Sequence, residues 1–224
     1  MATQVEPSRE PRVPLTRDRV VRAAIKLADE AGFESLSMRR LGQELGGEAM
    51  SLYNHIANKD DLLDGIADVV VSEIEVPAKG AEWKSAMRRR AISAREVFAR
   101  HPWAIGLFES RTTPSQARLD YPEAVVGCLR EAGFSPAMAI HAFNALDSYI
   151  YGFAIQEKSF AFPASGEEFA GVAEAALGQL PADKYPYLRE VITEYILKQG
   201  YDYGDEFEFG LDLILDALER QLTS

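Results

Sequence analysis

The stretch "MRRLGQELGGEAMSLYNHIANKDDLLDGIAD", Met38 to Asp68, brings Arg39, Arg40, Tyr53, Asn54, His55 and Lys59 into one short span. These groups neutralise phosphates and hydrogen-bond to base edges. Groups that break bonds are not legible in the sequence. It shows no nucleophile with a base at hand, no nucleotide-binding loop and no pair of carboxylates at catalytic spacing, so an enzyme is not expected. His101 and His141 stand forty residues apart without a His-x3-His or carboxylate partner, and Cys128 is the only cysteine. Neither a metal site, another cofactor nor an internal disulfide is therefore expected.

The helices that would position those groups can be read from spacing. Met38, Leu41 and Leu45 recur at i, i+3, i+7, and Gly46-Gly47 then supplies a tight turn. A short helix follows with Leu52 and Ile56 facing inward. Two helices joined by such a turn make a helix-turn-helix candidate. With Leu52 and Ile56 inside, Ala49, Met50, Ser51, Asn54 and His55 face outward, where small or polar residues approach base edges. Arg39, Tyr53 and Lys59 flank them, placed to set register on phosphates.

Around this segment the pattern is helical throughout. Thr16 can cap a helix to Ala31, Gly32 stops it, Ser37 caps the next, and Asn58 with Asp61 resembles a capping box. Beyond Gly80, amphipathic segments are expected at Trp83–Arg100, around Leu107-Phe108, and at Tyr121–Ala132, Ser135–Phe160, Glu167–Leu180, Tyr187–Gln199 and Glu206–Leu222. No strand alternation stands out. The expectation is an all-α chain of about nine or ten helices. It would comprise a flexible tail (1–14), a three-helix helix-turn-helix DNA-binding domain (15–61), a connecting helix (62–76) and a larger helical ligand-binding and dimerisation domain (77–224).

Charge is unevenly shared. Residues 8–59 hold nine Lys/Arg against seven Asp/Glu, in a chain whose net charge is −11. A mildly basic head on an acidic body suits local rather than global contact with nucleic acid. No apolar run is long enough to span a membrane, and the polar, proline-containing N-terminus lacks the core of a secretion signal. A cytoplasmic protein without membrane partners is expected. "RRR" at Arg88–Arg90 reads as a solvated or ion-paired face.

From Leu15 to about Asp68 the chain resembles the TetR family of bacterial transcriptional repressors. "LTRDRVVRAAIKLADEAGFESLSMRRLGQELG" and "SLYNHIANKDDLLDGI" carry the likeness, above all Leu52-Tyr53-x-His55 followed by Asn58-Lys59 and Leu62-Leu63. "ARHPW" and "LDSYIYGFAIQE" further resemble the tetracycline-repressor-like regulatory domain. The resemblance implies Arg39 in base or backbone contact at the edge of the recognition surface, Ala49, Met50, Ser51 and Asn54 at or near base edges, and Tyr53, His55 and Lys59 on phosphates. Gly47 and Glu48 depart from the family, which often has a valine or similar residue at the first and a Ser or Thr cap at the second.

The resemblance also implies a homodimer on a near-palindromic double-stranded DNA operator. Its interface would be built from Ile150 and Phe153 on the long apolar helix and Phe207, Leu211, Ile214 and Leu218 on the last one. A small, mostly apolar effector would bind a cavity drawn from Trp103, Phe108, Tyr121, His141, Asn144, Asp147, Tyr151 and Phe162. Asn144 and Asp147, mid-helix among apolar neighbours, need polar partners if buried. Two classes stay open on residues alone. One is a ligand-responsive repressor. The other is a helical ligand-binding or adaptor protein with a degenerate DNA head.

Overall fold

The computed structural model describes residues 14–111, 115–160, 165–198 and 200–222; the N-terminal tail and Phe162 lie outside them. The described residues form eleven α-helices, one 3-10 turn and one π turn, with a single isolated bridge between Ser165 and Asp202. That is more than the nine or ten helices expected, and Tyr187–Gln199 divides into a short helix and a π turn. None of the helices is long and apolar enough to cross a membrane. Two compact units divide the chain at Val69/Val70.

The N-terminal unit starts with α1 (Arg17–Ala31), where the Thr16 hydroxyl accepts a hydrogen bond from the Arg19 N–H at 3.2 Å. Val20, Val21, Ala24, Ile25, Leu27 and Ala28 form its buried stripe. Gly32, at φ +81°, ends it. Ser37 caps α2 (Met38–Glu44) by accepting from the Arg40 N–H. The turn into α3 (Ala49–Leu52) depends on two glycines for different reasons. Gly46 takes a positive φ of 70°. At Gly42 the backbone of α3 comes so close that a Cβ would lie 2.8 Å from the Ala49 nitrogen. Leu41, Leu52 and Ile56 are fully buried and clamp α3 onto α2.

Helix α4 (Lys59–Ser72) begins with a reciprocal cap. Asn58 Oδ1 accepts from the Asp61 N–H at 2.9 Å, and Asp61 Oδ2 accepts from the Ala57 N–H at 2.8 Å. Arg17 donates to the other Asp61 oxygen at 2.8 Å, tying α1 to the start of α4. The Arg17 bond, and then the Ala57 N–H, hold the Asp61 carboxyl below its usual range.

The C-terminal unit is centred on α5 (Trp83–Arg100), whose N-cap Glu82 accepts from the Lys84 and Ser85 N–H groups. It is followed by α6 (Ala104–Ser110), α7 (Gln116–Glu131) and α8 (Pro136–Ser159). Then come α9 (Gly166–Gln179), α10 (Pro186–Val191) with the π turn Ile192–Ile196, and α11 (Tyr203–Leu222). Helices α5, α8 and α11 pack on one another, and α7 lies on α8. Phe98, Leu129, Phe134, Leu146, Ile150 and Phe207 are completely or almost completely buried. Each contributes roughly 1.5–3 kcal/mol by leaving water.

Along the α5–α11 seam, Lys84 pairs with Asp216 and Glu219, each at 2.7 Å, and Arg88 with Glu208 at 2.5 Å and Asp212 at 3.0 Å. Where α8 meets α11, the Tyr149 hydroxyl lies on the Glu206 and Phe207 carbonyls. A Cβ on Gly210 would collide with it.

The proposed dimer stripe is corrected by this packing. Ile150, Phe153, Phe207, Leu211 and Leu218 are buried within the single chain, and Ile214 is half-buried. The buried five join α5, α8 and α11 into one core, and of the six only Ile214 keeps surface that a second copy could cover. A helix that packs on both sides carries two stripes, and the more regular apolar one is the core. The exposed apolar residues on these helices are Ile140 and Ile155 on α8 and Phe209 and Leu213 on α11.

Candidate nucleic-acid interface and effector cavity

In the N-terminal unit, the residues expected at DNA cluster around α3. Met50 is 72% exposed, Tyr53 44%, and Arg39, Asn54 and Lys59 are exposed; Ala49, Ser51 and His55 are half-buried. Glu48 is the N-cap of α3 but makes no side-chain cap bond. Instead its carbonyl accepts from the Ser51 hydroxyl at 2.7 Å. The cations of this unit fall into two groups. Arg17 is paired with Asp61, Arg22 with Asp18, and Lys26 with Glu30 and Glu44. Among the described residues, Arg39, Arg40 and Lys59 make no ion pair. Lys59 opens the first turn of α4, beside Asp60 and Asp61.

The C-terminal unit holds a cavity of about 580 Å³ that opens to the surface, within the range that takes a small organic molecule. The end of α4 and the residues after it supply Val71 and Ile74, and α6 supplies Phe108 and Glu109, with Arg111 beyond it. Helix α7 gives Arg118, Tyr121 and Pro122. Helix α8 gives Phe143, Asn144, Asp147, Ser148 and Tyr151, which recur at three- and four-residue spacing and so share a face. Thus Phe108, Asn144, Asp147 and Tyr151 meet at one cavity. Trp103 and His141 do not line it, contrary to expectation. Trp103 stacks edge-on with His101 at 5.7 Å, and His141 is exposed one turn before Asn144, nearer the start of α8 than the lining residues.

The partner that Asp147 needs is Arg90, the last arginine of "RRR". Its guanidinium is 1% exposed and bonds to Asp147 Oδ1 through Nη2 and to the Tyr121 hydroxyl through Nε at 2.8 Å. It also lies over the Tyr121 and Phe143 rings at 5.0 and 5.4 Å. Burial works against this charge, but Tyr121 and Asp147 more than offset it, and the Arg90 pKa is raised. Burial likewise pushes the Asp147 carboxyl up, with the guanidinium opposing. Burial pushes the Tyr121 phenol to about 12 and that of Tyr151 higher still, so both stay protonated at neutral pH. Arg88 and Arg89 do go to surface ion pairs, Arg89 with Glu75 at 2.9 Å. Arg90 was legible in one respect: it falls in the apolar stripe of Trp83, Met87, Ala91, Ala94 and Phe98.

A helix-turn-helix head followed by a helical body with a cavity of ligand size is the make-up of a DNA-binding regulator that responds to a ligand. Residues 20–66 match the bacterial regulatory proteins of the tetR family, and residues 76–222 match the tetracyclin repressor-like C-terminal domain. The HTH-type transcriptional repressor DrrR1 of Streptomyces coeruleorubidus is 34% identical over 95% of this chain and 80% of its own. An HTH-type transcriptional regulator of Saccharopolyspora erythraea is 32% identical over 91% of this chain and 84% of its own. The structure of the Streptomyces coelicolor TetR family protein ActR in complex with actinorhodin superposes with a TM-score of 0.75. It is 30% identical, over 95% of this chain and 100% of that one. The chain belongs to the TetR family, and it is a transcriptional regulator and not an enzyme.

Proposed function

We propose that the protein is a repressor that binds a near-palindromic double-stranded DNA operator as a homodimer and leaves it when a small molecule occupies the cavity. Helix α4 is the observation that carries this: it begins at Lys59, in the head, and ends by lining the cavity with Val71. A ligand against Val71 and Ile74 would bias the tilt of that helix, and with it the spacing of two heads. In this scheme Ala49, Met50, Ser51 and Asn54 reach base edges, Tyr53, His55 and Lys59 hold phosphates, and Arg39 touches base or backbone at the edge of that surface.

The ring-bearing walls, Phe108, Tyr121, Phe143 and Tyr151, suit an effector with a largely apolar skeleton. ActR, whose structure was determined in complex with actinorhodin, is a relative that takes a small molecule. Phe209 and Leu213, at i, i+4 on α11 and more than half exposed, with Ile140 and Ile155 on α8, support a second copy as the partner that covers them.

The test is binding to the DNA upstream of the protein's own gene over a salt series. Affinity that falls steeply with salt is expected, together with a dimer mass in sedimentation that Phe209→Glu with Leu213→Glu reduces to a monomer. Absence of DNA binding at low salt would favour the alternative, a ligand-binding or adaptor protein whose head no longer reads DNA; the uncapped Glu48 is the feature that motivates it.

A further inference from the structure

Glu48 is the odd member of the surface around α3. Of the acids in the N-terminal unit, Asp18, Glu30, Glu44 and Asp61 are in ion pairs. The side chains of Glu34 and Glu48 have no partner among the described residues. Glu34 lies in the 3-10 turn Phe33–Ser35 ahead of α2, whereas Glu48 is exposed and stands immediately ahead of α3. A carboxylate beside DNA phosphates lowers affinity for every sequence, and this one makes no cap bond to offset that.

While the carboxylate is free, the main chain that carries it is fixed. A Cβ on Gly42 would lie 2.9 Å from the Glu48 carbonyl carbon, so α2 presses directly on this point. The Glu48 carbonyl accepts from the Ser51 N–H at 3.0 Å and from the Ser51 hydroxyl at 2.7 Å. The second bond turns the Ser51 proton inward and leaves that oxygen to the outside as an acceptor. Ala49 and Met50 have no donor in their side chains. From Glu48 to Ser51, therefore, the side chains can accept hydrogen bonds from a ligand and donate none.

In the major groove only two bases present donors, cytosine through N4 and adenine through N6. Adenine sets the N7 acceptor beside its donor, and guanine and thymine meet a carboxylate with acceptors. Cytosine alone offers a donor with no acceptor on its own groove edge. We propose that Glu48 reads a cytosine in each half of the operator, a carboxylate oxygen accepting from the N4 amino group, and that the same charge rejects guanine and thymine at that position. The proposal rests on the operator-binding function above, and it gives the residue that would otherwise mark a degenerate head a role in the choice of sequence.

The test selects duplexes from a random-sequence library with the full-length protein at fixed salt, and repeats the selection with Glu48→Ala, Glu48→Gln and Glu44→Gln. The parent should recover half-sites with one C·G pair that Glu48→Ala leaves free to vary while the other positions stay unchanged. Glu48→Gln should move that pair towards A·T, because an amide can bond to adenine N6 and N7 together. Glu44→Gln removes the same charge from α2 and should keep the cytosine. In titrations of the selected duplex, N4-methylcytosine at that pair, whose methyl replaces the groove-facing hydrogen, should weaken the parent about tenfold, the scale of one base contact. It should leave Glu48→Ala unaffected. A Glu48→Ala selection identical to the parent's overturns the proposal, and so does a parent indifferent to the N4-methyl group. A Glu48→Ala variant that gains affinity for all sequences equally overturns it too, since Glu48 would then act as a charge alone. Each of those results leaves the regulator intact. A parent that selects no duplex at low salt overturns the regulator itself and this reading with it.

Discussion

The surface around α3 and the α5 seam of the body treat their cations in opposite ways. Around α3, Arg39, Arg40 and Lys59 are exposed and, among the described residues, have no acidic partner. In the C-terminal unit, Lys84 and Arg88 are spent on α11, Arg95 makes a two-pronged bridge to Glu157, and Arg90 is buried on Asp147. Cations held by their own chain build scaffold, and cations left in water wait for a partner. The contrast marks where DNA belongs far better than the total charge does, since the total alone argues against nucleic acid.

The largest expected effect comes from breaking the buried pair. Asp147→Ala leaves the Arg90 guanidinium buried without its carboxylate, and should remove about 3–5 kcal/mol of stability in urea unfolding. Arg90→Met combined with Asp147→Leu should recover most of it, because replacing both charges by apolar groups removes the desolvation penalty. Recovery would show that the pair adds no net stability to the fold. A double variant as unstable as the single one would place the pair in the scaffold.

On the head side, Gly42→Val should strain the α2–α3 turn by about 1–3 kcal/mol, because the obstructing atoms are backbone and cannot swing away. Operator binding should be lost while the C-terminal helices keep their protection in hydrogen exchange. Gly47→Ala should be far milder, since its nearest neighbour is the rotatable Ser51 hydroxyl at 3.2 Å. If the unpaired cations serve DNA, Lys59→Ala should weaken every sequence alike and lower the salt slope by about one. Asn54→Ala should instead cost about 1–3 kcal/mol of discrimination at one base pair.

Much of this was legible in the residues, for local reasons. Thr16, Ser37, Asn58 and Ser135 all sit where a helix starts, because a side-chain oxygen ahead of an apolar repeat is enough to cap it. Gly42 was passed over in favour of Gly46-Gly47, since the need for a missing Cβ arises from a neighbouring helix and leaves no local signature. Most of the expected interface stripe is core in the single chain, because periodicity finds the most apolar face without saying whether it meets the same chain or another. Arg90 was hidden by its company: three successive arginines look like a solvated run, although successive helical residues point about 100° apart and must reach different surroundings.

The smallest effect separates the two kinds of cation within the head itself. Arg17 belongs to the scaffold group, and its acceptor Asp61 also caps α4. Because the Asp61 pKa is lowered on folding, the charged carboxylate stabilises the native state fully above its unfolded pKa of about 3.9, and that contribution fades as pH falls through the lower native value. Asp61→Ala should therefore cost about 1 kcal/mol at pH 7, the ordinary worth of a cap. The gap from the parent should narrow in melts taken progressively below pH 4. Asp61→Asn should cost less, since an amide oxygen can still accept from the Ala57 N–H while losing most of the attraction to Arg17. A gap that stays constant down to pH 3 would mean that Asp61 acts through packing and not through charge. Arg17 would then lose its place among the cations committed to the fold, and the line between the two groups would have to be redrawn through α1.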